Sequence, residues 1–262
     1  MFRFLLFFTL LVVVSTVHHD TMLPATRTAI ADGVTTGIVP YHVAVFQVNE
    51  DRYSFVICSG SIVSSRFVLT AAQCFHQTQQ VFPIKIRAGS PNGEFGGCLH
   101  KATHIIRHSS YKKLAKNSLA TVNDIALIKV NKPFKLGPNI AIIPLFQEET
   151  PAYIYGTAST WGRAEGLSAS LKAVRVELWD KVECARYYES VPFPEGQICT
   201  GNPRQKSCHG NLGGPLVVNG TQVGIDIWGE SVCWHGPLVY TEVAQYISWI
   251  NYYIYEQLEM QD

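Results

Sequence analysis

The sequence predicts an all-β chain, a sandwich or barrel closed by a C-terminal helix. Three observations carry this. Short runs rich in Val and Ile recur between Gly, Pro and Asn clusters, the pattern of many short strands bounded by turns. Asn219-Gly220 lies between two such runs, and this dipeptide suits the two positive-φ positions of a tight hairpin. Only near the C-terminus do apolar residues fall at helical spacing, at Val243, Tyr246, Ile247, Ile250 and Ile254.

In chain order the strand runs are Tyr41 to Val48, Ser61 to Leu69, Ile84 to Ala88, Ile125 to Val130, Leu171 to Leu178, Pro215 to Val218 and Gln222 to Ile227. A weak seam, Gln147 to Ala152, falls midway. Arg3 and the 11-residue apolar run Phe4 to Val14 read as a signal peptide over residues 1–17, because such a run is too short for a membrane helix of about 20 residues. Residues 18–27 form a short polar lead-in, and no later stretch has the length of a span.

The chain has 262 residues, 47% hydrophobic and 16% charged, enough apolar surface for a sizeable core and too little charge for a disordered chain. A net charge of +1 gives no reason to expect nucleic acid or an anionic membrane as partner. Seven cysteines behind a signal peptide are expected in disulfides, with one left over. No cysteine spacing has the form of a zinc site, and no cofactor or metal is expected.

Several blocks then carry a resemblance. They are Pro40-Tyr41-His42-Val43, Cys58-Ser59-Gly60-Ser61-Ile62-Val63, Val68-Leu69-Thr70-Ala71-Ala72-Gln73-Cys74, and Asn123-Asp124-Ile125-Ala126-Leu127-Ile128. Cys208-His209-Gly210-Asn211-Leu212-Gly213-Gly214-Pro215-Leu216-Val217, Trp228-Gly229 and Val239-Tyr240-Thr241 follow. Over about residues 28–255 this ordered set resembles the trypsin-like serine protease family, in arthropod-type form. The resemblance implies two packed antiparallel β-barrels with a C-terminal helix: a domain of residues 28–262, with barrels at about 28–147 and 152–242 and the helix at about 243–258. It also implies disulfides Cys58–Cys74, Cys184–Cys199 and Cys208–Cys233. Cys98 has no family partner; a buried hydrophobe, a free thiol and an intermolecular bridge all stay open.

Acyl transfer on this fold needs a nucleophile, a base and an orienter. By resemblance these positions are Leu212, Gln73 and Asp124. A leucine has no attacking oxygen, and a carboxamide takes up no proton near neutral pH. In an active relative, loss of base or nucleophile costs on the order of a million-fold in rate. Ser207 as a substitute nucleophile would need a base that Gln73 does not provide, and by resemblance His209 lies at the cleft rim. The latch aspartate of the family is Asn211, and Ile30 to Gly33 is a poor echo of its Ile-Val-Gly-Gly terminus. Lys206 stands at the base of the specificity pocket, Leu238 where a glycine keeps the slot open, and Ile227 in place of a serine beside the aspartate. Gly210 remains from the oxyanion hole. Asp124 thus depends on the Gln73 amide for a hydrogen bond.

On this reading the chain is expected not to be an enzyme. It is expected to be secreted, to bind an extracellular protein of unknown identity and to regulate or assist a protease cascade. A hydrolase with an unconventional nucleophile, and a structural or adhesive protein linked through Cys98, are the alternatives. Asn219-Gly220-Thr221 is a glycosylation acceptor. His100, His104 and His108 recur every four residues, a spacing read as chance because the family places a loop and strand there. Tyr252 and Tyr255, on the closing helix, are expected to be exposed and to offer part of an interaction surface.

Overall fold

Along Ile84–Ala88 the side chains alternate between buried and half-buried, as in a strand with one face in a core. Phe67–Thr70 is buried throughout, because each of its faces meets a different core. Val68 points into one barrel, while Phe67 and Leu69 join a cluster that reaches the other. Such two-sided burial produces unbroken apolar runs.

The computed structural model describes residues 34–48, 54–75, 83–114, 120–162, 170–188, 193–201, 212–229 and 237–256. Its first half contains β1 (Val34–Thr35), β2 (His42–Val48), β3 (Ser54–Ile62), β4 (Phe67–Thr70), β5 (Ile84–Ala88), β6 (Cys98–Arg107), β7 (Lys112–Lys113), β8 (Thr121–Val122) and β9 (Ala126–Val130). Antiparallel pairing in the order β2-β3-β4-β9-β6-β5 closes into a barrel. The second half contains β10 (Tyr155–Gly162), β11 (Ser170–Leu178), helix α1 (Lys181–Tyr187), β12 (Gln197–Gly201), β13 (Pro215–Val218), β14 (Thr221–Gly229) and β15 (Leu238–Glu242). The order β11-β10-β13-β14-β15-β12, with β12 returning to β11, makes a second closed ring, and β1 adds to its β11 edge.

Three of the four apolar clusters among the described residues fill the barrels and the seam. One fills the first barrel around Val43, Val45, Ile86 and Ile128, and one fills the second around Leu216, Val223 and Tyr240. The third lies between them and joins Phe67, Leu69 and Ile125 to Ile225, Ile227 and Val239. The C-terminal segment covers this seam with Val243, Tyr246, Ile250 and Ile254, the residues singled out by their spacing. Its backbone is a 3₁₀ turn at Val243–Tyr246, α2 at Ile247–Asn251 and a π turn at Tyr252–Glu256. Tyr252 and Tyr255 are exposed.

Several sequence expectations need correction. The run Ser61 to Leu69 is two strands, not one. Ser64 Oγ accepts hydrogen bonds from the amides of Arg66 and Phe67 at 3.3 and 3.1 Å and turns the chain between β3 and β4. The closing helix is not the only helix. Asp180 caps α1 through the amide of Val182 at 2.8 Å, and Cys184 is its buried residue. Cys98 is exposed and unpaired among the described residues, so the buried alternative falls. Cys58–Cys74 and Cys184–Cys199 are bonded, and loops of this length contribute about 2–4 kcal/mol each. The proposed Cys208–Cys233 pair, the signal peptide and the lead-in lie outside the described residues. Among the described residues no helix is long and apolar enough to cross a membrane, and no group of side chains is arranged to hold a metal ion. His100 and His104 stand on strand β6, across a register shift from one another.

Candidate active site

Gln73 follows β4 in a single 3₁₀ turn, Ala72–Phe75, which the Cys58–Cys74 disulfide fastens to β3. Asp124 sits in the short link between β8 and β9, and Asn123 before it takes a positive φ of 51°. That link is held from the opposite barrel and the C-terminal segment. Thr241 Oγ1 donates to the Asp124 carbonyl at 2.9 Å, and Gln197 Nε2 donates to the Thr121 carbonyl at 2.7 Å. Tyr246 Oη donates to Asn123 Oδ1 at 3.0 Å.

The two residues meet at the seam. The Gln73 amide N–H donates to Asp124 Oδ1 at 2.9 Å, and its Nε2 donates to Oδ2 at 2.8 Å. Thr121 Oγ1 donates to Oδ2 at 2.8 Å. Gln73 Nε2 also donates to the carbonyl of Ile227 on β14, so one carboxamide ties both barrels together. Burial, with Asp124 only 1% exposed, pushes its carboxyl up to about 6, against the opposing pull of these donors. Gln73 serves as a donor throughout, and Asp124 is the group of this cluster that titrates near neutrality.

Leu212 is half-buried against the first-barrel core, and its carbonyl accepts from the Ser59 amide at 2.7 Å. The turn after it is wedged into that barrel at Gly213, whose φ is +83°. Ile227 is fully buried in the seam, and Leu238 is buried in the second-barrel core. Lys206, Gly210 and Asn211 lie outside the described residues, as do Ser207 and His209.

His42 belongs to one of the matching blocks, Pro40-Tyr41-His42-Val43, and has no role assigned by the resemblance. The structure places it on β2 with 2% exposure. Its Nδ1 is 2.8 Å from Ser159 Oγ on β10, and its Nε2 is 3.1 Å from Ser59 Oγ. The Trp161 ring meets it edge-on at 5.3 Å. Burial lowers its pKa to about 3, so it is neutral across the physiological range. Asp226 was also missed. It is 7% exposed and lies opposite Tyr240 on β15, on the wall that continues from Ile227. A carboxylate inside the run Gly224-Ile225-Asp226-Ile227-Trp228 was the available signal, because an unpaired charge there would be costly.

A family model described as Trypsin matches residues 32–250. Trypsin delta of Drosophila melanogaster is 30% identical over 236 residues, 87% of this chain and 90% of the relative. Trypsin eta of the same species is 31% identical over 201 residues, 74% and 75% of the two chains. Trypsin alpha-4 of Lucilia cuprina is 29% identical, covering 87% and 89%. Among solved structures, HL collagenase superposes with a TM-score of 0.74 at 24% identity, over 85% of this chain and 97% of the other. Neuropsin, a serine protease expressed in the limbic system of mouse brain, gives 0.70 at 26%, over 84% and 100%. These findings overturn the expectation that the chain is not an enzyme. That expectation rests on single positions, Gln73 and Leu212, whereas the relatives matched over most of the chain are named trypsins. With two closed barrels and a match spanning residues 32–250, the chain belongs to the trypsin family.

Proposed function

We propose that this chain is a secreted, arthropod-type member of the trypsin family that acts by binding another extracellular protein, as a regulator or cofactor of a protease cascade. The observation that carries this reading is how the Gln73–Asp124 cluster spends its hydrogen bonds. Both protons of interest on the Gln73 amide go to structural oxygens, Asp124 Oδ2 and the Ile227 carbonyl. The seam is thereby a brace between two barrels, and a braced scaffold leaves its surface loops free to recognise a partner. The insect relatives from Drosophila and Lucilia support the arthropod cast. Secretion accords with the N-terminal apolar run and with two disulfides. Asn219 at an exposed hairpin tip is the proposed glycosylation site, and exposed Cys98 offers a covalent link to a partner.

The relatives' name favours a second reading, a serine-type endopeptidase. Turnover would then need a proton acceptor other than the Gln73 amide and a nucleophile other than Leu212. Two measurements on the purified secreted protein separate the readings. A C-terminally tagged chain, returned to its native extracellular fluid, is expected to enrich a protein that the tag alone does not. A fluorophosphonate probe reads the second: covalent labelling of a serine together with sustained peptide-ester turnover establishes the endopeptidase reading. Failure to enrich any partner sinks the first.

A further inference from the structure

Beyond the seam, one face of the second barrel gathers aromatic rings and carboxylates around a groove of about 520 Å³. Tyr153, Trp179 and Tyr187 line it together with Glu177, Glu183 and Arg186. Tyr153 and Tyr187 are 61% and 42% exposed, yet the backbone beneath them is held. The Tyr153 amide donates to the Leu178 carbonyl at 2.8 Å, and the Trp179 amide to the Cys199 carbonyl at 3.0 Å. The Cys184–Cys199 disulfide fastens α1 to β12 below. The rings of Trp179 and Tyr187 stand 6.1 Å apart at 75° and form a corner. The Tyr153 hydroxyl has its pKa raised by desolvation and then by the neighbouring Glu183 carboxylate.

The lining chooses its occupant by charge. Two carboxylates face one guanidinium, so the groove is acidic on a chain whose net charge is +1. An anionic group would be repelled, and an apolar one would leave the carboxylates unused. An ammonium or guanidinium satisfies the carboxylates and is also drawn to ring faces. Beside the groove, outside its lining, such a contact is already made: on β10, Tyr155, paired across the sheet with Glu177, carries the Arg175 guanidinium 3.7 Å over its ring.

We propose that this groove docks a lysine or arginine side chain of the extracellular protein that the chain binds. The proposal rests on the binding function given above and assigns it a surface and a partner chemistry. The test uses the full secreted chain and two synthetic peptides, acetyl-Gly-Ser-Lys-Gly-Arg-Ser-Gly-amide and its analogue with Glu at both basic positions. The basic peptide is expected to bind, the acidic one not, and binding is expected to weaken as salt rises. Neutralising both carboxylates, in E177Q/E183Q, is expected to weaken it about fivefold, and Tyr187→Ala about threefold. Tyr187→Ala decides the matter alone if the double variant does not fold. Equal binding of the two peptides, no binding of the basic one, or binding untouched by these substitutions overturns the proposal. The pull-down distinguishes the two levels. Enrichment of a partner equally by wild type and E177Q/E183Q overturns the groove and keeps the binding function. Enrichment by neither overturns the function and the groove with it.

Discussion

Asp124 and His42 are both sealed, at 1% and 2% exposure, and burial moves their titrations in opposite directions because it disfavours whichever form is charged. The Asp124 value of about 6 lies above its ordinary 3.8. Between those values the folded chain keeps a proton that the unfolded chain has released, so raising the pH through this window removes stability. The His42 value of about 3 lies below its ordinary 6.5. Between those values the unfolded chain binds the extra proton, so lowering the pH removes stability. From about pH 4 to 6 the two contributions cancel, each being about 1.4 kcal/mol per pH unit. Asp124→Asn removes one of them. Urea unfolding at pH 4, 5 and 6 is expected to show the variant losing, per unit of acidification, about 1.4 kcal/mol more than the wild type does. Parallel profiles would mean that Asp124 does not hold its proton in the fold. The partnership of Asp124 with Gln73 was legible in the sequence, because the resemblance placed them side by side and a buried carboxylate needs donors. The place of His42 between two serines was not, because Ser59 and Ser159 lie 17 and 117 residues away.

At the scale of elements, α1 is held by charge as well as by its disulfide. Glu242, at the end of β15, has a fully buried side chain, and Lys181 Nζ reaches it at 3.0 Å while also meeting Glu149 at 3.0 Å. The Thr150 amide donates to the other Glu242 oxygen at 2.9 Å. Lys181→Met keeps the length of the side chain and strands a buried carboxylate, a loss of about 3 kcal/mol. Glu149→Gln alters only an exposed pair, worth about 1 kcal/mol or less. Denaturant midpoints compare the two, and equal small losses would show that Glu242 does not need the lysine. This helix escaped sequence reading because it is short and buries a single residue, Cys184, which leaves no apolar period to detect. Strand β6 escaped for a related reason, since its side chains are mostly exposed and do not alternate. The runs that were legible, such as Ile84–Ala88 and Pro215–Val218, carry a core on at least one face. The C-terminal helix was legible for the same reason, through Val243, Tyr246, Ile250 and Ile254 at its buried stripe.

For the whole molecule the decisive contacts run between barrels. His42 bonds Ser159, Ser61 bonds Gln222, and Gln73 reaches Ile227. The turn after Leu212 adds a steric lock. Gly213 takes φ +83°, and a Cβ there would stand 2.5 Å from the Ser59 carbonyl oxygen and 3.2 Å from the Ala71 nitrogen, both backbone atoms of the first barrel. Gly220, in the Asn219-Gly220 hairpin, takes nearly the same φ, +78°, with nothing within 4 Å. The pair separates two costs that a glycine usually hides together. Gly220→Ala meets only the left-handed backbone penalty, about 1–2 kcal/mol. Gly213→Ala meets that penalty and must also push the two barrels apart, against backbone that cannot rotate away; its loss is expected to exceed that of Gly220→Ala by about 2 kcal/mol or more. Thermal unfolding followed by fluorescence and by circular dichroism measures both. If the barrels act as one unit, Gly213→Ala lowers a single shared transition. Equal losses for the two variants would mean that the turn yields freely, and that close contact across the seam does not hold the barrels together.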